Sequence, residues 1–521
     1  MPRLSFKTDS SFFRLIAIGA VGARAVEHDL RRYGHEMVEL ENGSTDTKIW
    51  KDVKRKRVRI PDLVCTKCGL RLESRAKTSP GLSMSHSPTD AERAWDYGMV
   101  DSDIVAFPVC VPVSQHEWSR GKLTERTSYW HQRERVQWAQ QGTINYFRVG
   151  GFREVAHAKS SVKGVTEGTE TSITWDAIFS TRNGIVETIT EGRKISIRRD
   201  SDGHLYTWQN PRGLAVVVIE GAHVHNGQVL ASAVPPLAPI DMECSCSLSA
   251  DHLRSLLHSP ERSQRFTGVK LARLRNEPAY AETIRSIAVH PDEDIYVLLE
   301  SRVYLARVSD FSAANLFSPY LQSQDDQIRL EAVVALAEVA TSEAVNILAQ
   351  ILRHSKMPYF LRSAAAWGLG KIGTDCAIDK LVQAFADVDV TMREEALDII
   401  TALGAKPIEH LVQALVGGDP DLAAGSAEAM RRLPSLPGQA VDTIIQAIRE
   451  DPDHVWAVWL LGQCADNDNV ASVISELQDS RPEAHYAVSV LWTFAKSWIA
   501  RHWELWPEPI RCGEMLRGRQ E

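Results

Sequence analysis

The chain has 521 residues, a formal net charge of −8 and 44% hydrophobic residues, enough to build ordinary cores throughout and to suggest about three domains. Gly and Pro (31 and 23) are too sparse for a fibrous or low-complexity protein, and no apolar run reaches the ~18 residues of a membrane-spanning helix. Eight cysteines over this length do not make a disulfide framework, so a reducing, cytoplasmic setting is expected.

The charge is unevenly spread. Lys51 to Lys77 holds ten Lys/Arg against three acids, whereas Asp325 to Asp453 holds eleven against twenty. A basic N-terminal surface suits a polyanion such as nucleic acid, and the acidic C-terminal region suits a protein partner instead. The oligomeric state is left open.

In chain order, the apolar stretch near the N-terminus gives way to charge at Arg24, which reads as a folded helix and not a signal peptide. The spacing of Leu15, Ile16, Ile18, Val21, Val26 and Leu30 predicts a helix over 12–33, ended by Gly34. MVEL predicts a short strand. Val58, Ile60, Leu63 and Val64 predict a second, and Leu70 and Leu72, alternating with Arg71, Glu73, Arg75 and Lys77, predict a third. Thr66 to Gly69 makes the turn between the last two.

Pro61-Asp62, followed eleven residues after Asp62 by Glu73-x-Arg75-x-Lys77, resembles the PD-(D/E)xK nucleases. The chemistry behind that pattern is two carboxylates on adjacent strands converging on one Mg²⁺, with a basic side chain acting on the attacking water or the phosphate. Period-two alternation puts Glu73, Arg75 and Lys77 on one sheet face. The resemblance implies Asp62 and Glu73 as Mg²⁺ ligands and Glu27 on the preceding helix as an accessory acid, with Glu39 as second choice. The family's lysine is replaced here by Arg75, which stays protonated; Lys77 is the substitute from the same face. Two alternatives remain: a site that binds nucleic acid without cleaving it, and carboxylates that merely pair with the local cations.

Cys65-Thr-Lys-Cys68-Gly lies in the turn between the carboxylate strands and has the shape of one zinc knuckle. Cys110 and His86 are the nearest further ligands, while Cys244-Ser-Cys246 is distant and less suitably spaced. A structural Zn²⁺, a redox pair and ordinary thiols all fit the motif. Asp101 and Asp103, ahead of the IVAFPV strand, fit a turn cap better than accessory acids. Trp118, Trp130 and Trp138, interleaved with His131, Arg133 and Arg135, fit core helix positions better than base-stacking ones.

Residues 116–305 read as strand-rich, with turns at Asn183-Gly184, Asp202-Gly203, Gly221 and Gly227. The pattern resembles barrel-sandwich hybrid domains, though without the lysine at a hairpin tip that a swinging cofactor arm needs. Beyond it, RLEAVVALAEVA at Arg329, RSAAAWGLGKIG at Arg362 and REEALDIITALG at Arg393 recur every 31 to 33 residues. Weaker copies follow near Ala424, His454 and His485, and second helices such as AVNILAQIL lie between. These segments resemble HEAT repeats, which imply an α-solenoid.

The expected architecture is multidomain α+β. It has a restriction-endonuclease-like α/β domain over 1–115, a β-rich domain over 116–305, a solenoid over 310–500 and a tail over 501–521. The expected function is a metal-dependent nuclease coupled to a repeat-based partner or sensor surface, by analogy with bacterial defence systems. The alternative is a non-catalytic repeat scaffold or nucleic-acid adaptor. The sequence has no HExxH, GxSxG or P-loop to suggest other enzyme chemistry.

Overall fold

The computed structural model describes residues 10–40, 59–88, 90–113, 137–161, 171–244, 247–433 and 435–450, with 454, 456, 457, 459 and 460. They divide into two compact units, Met1–Ala335 and Leu336–Glu521.

Helix α1 spans Ser10–Arg31. Ile16, Ile18, Val26 and Leu30 are buried, and Gly34 stops the helix with φ +84°. At Gly22 the helix nearly touches the sheet, since a Cβ there would stand 2.6 Å from the Cβ of Ala76.

Five strands make the sheet: β1 (Met37–Glu39), β2 (Leu63–Cys65), β3 (Arg71–Ser74), β5 (Ile104–Phe107) and β8 (Asn145–Arg148). Three more lie between them in the chain: β4 (Leu82–His86), β6 (Cys110–Pro112) and β7 (Trp138–Gln140). The sheet order is β1-β2-β3-β5-β8. β2 is antiparallel to β1 and β3, and β3 is parallel to β5. The parallel ladder continues past Ser74, with the amides of Arg75 and Lys77 donating to the carbonyls of Ala106 and Pro108.

The two faces of the sheet carry different cores. Leu63, Cys65, Leu72, Ile104 and Ala106 pack with Val26 and Leu30 of α1. On the other face, Val105, Phe107 and Phe147 join Met84, Phe152 and Trp175, while Val64 joins a helical cluster that includes Phe266 and Tyr304. β8 lies beyond residue 115, so the sheet runs across the boundary expected from sequence.

The following strands form small antiparallel sheets. Strand 171–175 pairs with β4 and with 158–161. Strands 184–190, 194–199 and 205–209 form a meander whose Val186, Ile195 and Ile197 share a core with Leu230 and Ala231. The turns at Gly203, Gly221 and Gly227 all have positive φ, as expected. Asn183-Gly184 instead opens a strand, and the hairpin turns at Glu191-Gly192 (φ 49° and 64°).

The strand texture ends at Ser232, not near 305. After the short α2 (Val149–Arg153), the chain forms α3 (Ala250–Leu257), α4 (Arg262–Leu274), α5 (Ala281–Ala288) and α6 (Ile295–Val308). Helix α4 escapes a hydrophobic-period reading because it buries Lys270 and Arg273; Arg273 is neutralised by Glu300 of α6 at 2.7 Å.

Paired helices follow: α7 (Ala313–Leu321), α8 (Asp326–Val339), α9 (Ser342–Arg353), α10 (Tyr359–Ile372), α11 (Asp375–Val382), α12 (Val390–Ala402), α13 (Ile408–Val416), α14 (Pro420–Arg431) and α15 (Gly438–Glu450). Thr341 and Thr374, one repeat apart, cap α9 and α11 in the same way, accepting from the amides of Ala344 and Ala377. Most of the expected segment at His454, the one at His485, the tail, and Trp118, Trp130, His131, Arg133 and Arg135 lie outside the described residues. Trp138 is in strand β7, not a helix.

Candidate functional site

Two groups of chemistry-bearing side chains meet on the β2–β3 hairpin. The first is the carboxylate row. Leu63 faces Leu72 and Val64 faces Arg71 across the ladder; β2 begins at Leu63, and period-two alternation assigns Asp62 to the face of Val64 and Arg71. Directly opposed residues of an antiparallel pair project to the same face, with Cβ atoms about 5 Å apart. Leu72 and Ala76 turn towards α1, so alternation sends Arg71, Glu73, Arg75 and Lys77 to the other face.

Each member of that row has defined surroundings. Asp62 Oδ2 accepts from the Ser74 amide at 2.8 Å. Buried Glu73 pairs with Arg75 at 3.0 Å. Lys77 is pushed down to about 8, first by burial and then by the neighbouring charge of Arg75. Arg71 is fully committed: its guanidinium grips both oxygens of Asp103 at 2.9 and 2.5 Å and reaches the Ser263 and Thr267 hydroxyls of α4. Asp103 also accepts from the Val100 amide, the turn-capping role expected of it, and Asp101 pairs with Arg153.

Glu27 is placed differently. Its oxygens pair with Arg24 and Arg31 on its own helix at 2.7 and 2.6 Å, and α1 covers the sheet face opposite to the carboxylates. Glu39 ends β1, paired across the ladder with Leu63.

The second group is a thiol cluster. His35, Cys65, Cys68 and Cys244 bring their ligand atoms within 4.8 Å of one another, a donor set able to hold a metal ion. The Cys65 thiol is held well below the ordinary thiol range, chiefly because Cys68 donates to it, with His35 adding a further hydrogen bond. Burial pulls His35 towards neutrality, but its contacts with Cys65 and the Met242 carbonyl outweigh that and raise it.

The expected third and fourth ligands are therefore corrected. Cys110 is buried under α1 with Sγ 3.8 Å from the Ile18 carbonyl, and burial pushes its thiol up to about 12. His86 Nδ1 accepts from the Trp95 amide. Cys244 takes part although it is 179 residues from Cys65, and Cys246 lies outside the described residues. The sequence signal for His35 was its place directly after the helix-stopping Gly34.

Among the described residues, no helix is long and apolar enough to cross a membrane. Residues 313–400 match the HEAT repeats family. Two crystal structures of engineered proteins from the Northeast Structural Genomics Consortium are similar at 20% identity over 46% of this chain. The matches cover 70% and 95% of those chains, with TM-scores of 0.23 and 0.19, too low to bear on the fold. No curated protein matches the chain.

Proposed function

We propose that the N-terminal sheet carries a metal-dependent nuclease centre and that the helical repeats offer a partner-binding surface. The observation that supports this reading is the β2–β3 register, Leu63 opposite Leu72 and Val64 opposite Arg71, from which period-two alternation assigns Asp62 to the face of Glu73, Arg75 and Lys77. Two adjacent carboxylates are a donor set suited to Mg²⁺, which takes one or two carboxylates and keeps several waters. Such an ion would be held by Asp62 and Glu73, and when bound it offsets the charge that builds on a phosphate under attack. Arg75 and Lys77 line the path of the phosphate, and of the two only Lys77 is able to give up its proton near neutral pH. The basic run from Lys51 to Lys77 attracts the nucleic-acid backbone, and the acidic repeats favour a protein partner.

A second reading has its own support. The Glu73–Arg75 pair neutralises one carboxylate, and Glu27 is spent on Arg24 and Arg31. A sheet of this kind binds nucleic acid without cutting it and serves as an adaptor joined to a HEAT-like scaffold.

Incubation of the full chain with single- and double-stranded DNA and RNA, with Mg²⁺ or Mn²⁺, separates the two. Cleavage by the wild type that falls on the order of a hundredfold or more in both Asp62→Ala and Glu73→Ala supports the nuclease. Binding without cleavage under every condition supports the adaptor.

A further inference from the structure

The thiol cluster gathers three separate parts of the chain. His35 follows the end of α1. Cys65 and Cys68 flank the β2–β3 turn, and Cys244 comes after the last strand of the β-rich region, shortly before α3. Local structure aims each donor inwards. The turn is closed by the Gly69 amide donating to the Cys65 carbonyl at 2.9 Å and the Cys65 amide donating to the Leu70 carbonyl at 2.8 Å. Gly69 takes φ +80° to allow this, with Leu248 packed so closely that a Cβ would stand 2.9 Å from it. The Cys244 amide is tied to the Tyr33 carbonyl, two residues before His35.

The histidine is oriented from behind. Its Nε2 lies 2.8 Å from the Met242 carbonyl oxygen and so carries the proton that is donated there. Nδ1 is left to face the sulfurs, 3.6 Å from Cys68 Sγ. A backbone carbonyl on the far nitrogen is the usual support of a metal-bound imidazole.

We propose that His35, Cys65, Cys68 and Cys244 form a closed, tetrahedral zinc site. The spacing of the donors carries it. With Zn–S about 2.3 Å and Zn–N about 2.0–2.1 Å, a tetrahedron has S···S edges of about 3.8 Å and S···N edges of about 3.6 Å. The Cys65–Cys244 sulfurs are 4.0 Å apart and the Cys68–His35 pair 3.6 Å. A disulfide needs about 2.05 Å, so the sulfurs are set at the separation of ligands sharing an ion. Three thiolates and one imidazole select a soft or borderline cation over Mg²⁺ or Ca²⁺. Three thiolates leave the zinc site with one net negative charge, and the Lys67 side chain, hydrogen-bonded to the Gly34 carbonyl, lies beside it.

Four protein ligands leave no open position, so the ion is structural and does no chemistry on substrate. It clips the end of α1 and the approach to α3 onto the hairpin that bears Asp62 and Glu73. The inference is independent of the nuclease reading: zinc can be present in a protein that never cuts nucleic acid.

The full chain, purified under reducing conditions without added metal, is expected to contain about one zinc per molecule by elemental analysis. After chelator stripping, added Co²⁺ is expected to produce the intense d–d absorption of tetrahedral cobalt. A thiolate-to-cobalt band with the intensity of three thiolates should accompany it. Cys244→Ser and His35→Ala should each weaken zinc binding at least tenfold in competition with a chromophoric chelator, while Cys110→Ser should leave it unchanged. A wild type that takes up neither zinc nor cobalt overturns the proposal. So do Cys244→Ser and His35→Ala proteins with wild-type affinity, or a cobalt spectrum with two thiolates or an octahedral ion. The cobalt spectrum of the wild type decides the case even if the variants fail to fold.

Discussion

Lys77 closes the basic row that continues past β3, and its proton is held loosely. Burial first, and Arg75 second, bring its titration down from 10.5 to about 8. The folded chain therefore binds fewer protons than the unfolded chain between those values. Stability is penalised in full below about pH 8, and the penalty is relieved as pH rises towards 10.5. Lys77→Met should accordingly stabilise the fold by on the order of 2 kcal/mol at neutral pH, after allowance for partial exposure. The gain should shrink in urea titrations repeated near pH 10. In the nuclease reading, neutral Lys77 accepts a proton, so the cleavage rate should climb as pH passes about 8. Lys77→Arg should abolish that climb; a rate that falls through the same pH would make Lys77 a phosphate-binding cation instead. Arg71, two residues before Glu73, has a different task. It and Asp103 are both 4% exposed, so Arg71→Met strands a buried carboxylate and should cost about 3–5 kcal/mol of stability. A loss below 1 kcal/mol in denaturant would show that Asp103 finds another partner or takes up a proton without cost.

At the scale of elements, the repeats rest on small residues where helices cross. Gly425 in α14 is an example: a Cβ there would stand 2.4–2.7 Å from Cγ, Cδ2 and Cβ of Phe385. Those atoms lie near the Phe385 backbone and have little freedom to move. Gly425→Ala gains about 1 kcal/mol of helix propensity but must overpack this contact at about 1–3 kcal/mol. The expected net result is a chain about 1 kcal/mol less stable, readable as a lower urea midpoint; a stabilised variant would mean that the helices separate easily. The repeats were legible in sequence because similar helical segments recur every 31 to 33 residues from Arg329 onward. Helix α4 was not, because Lys270 and Arg273 sit inside it and the burial of Arg273 is offset by Glu300 on another helix.

For the whole molecule, the unequal charge of the two ends sets separate expectations. Binding of single-stranded nucleic acid through the basic N-terminal stretch should weaken with salt, with a log–log slope of about −0.7 for each phosphate neutralised. Removing charge from the exposed acids of the repeats, such as Asp375 and Asp421, should leave that slope unchanged. A slope that shifts with the repeat charges would show that the acidic region also meets the nucleic acid.

The local pattern of the sequence settled three things. Helical pairs recur among the described residues from Ala313 to Glu450 because each unit carries its own period. Arg71, Glu73, Arg75 and Lys77 share a sheet face because the chain alternates with period two about Leu72. Cys65 and Cys68 converge because Gly69 permits the turn between the strands. Tertiary structure decided the rest. Glu27 is kept from the carboxylates because α1 covers the opposite face of the sheet, while its pairs with Arg24 and Arg31 follow from their spacing on the same helix. His35 and Cys244 reach the thiol cluster from segments 30 and 179 residues away in sequence from Cys65. No spacing rule connects ligands that only the packing of α1, the hairpin and the approach to α3 brings together.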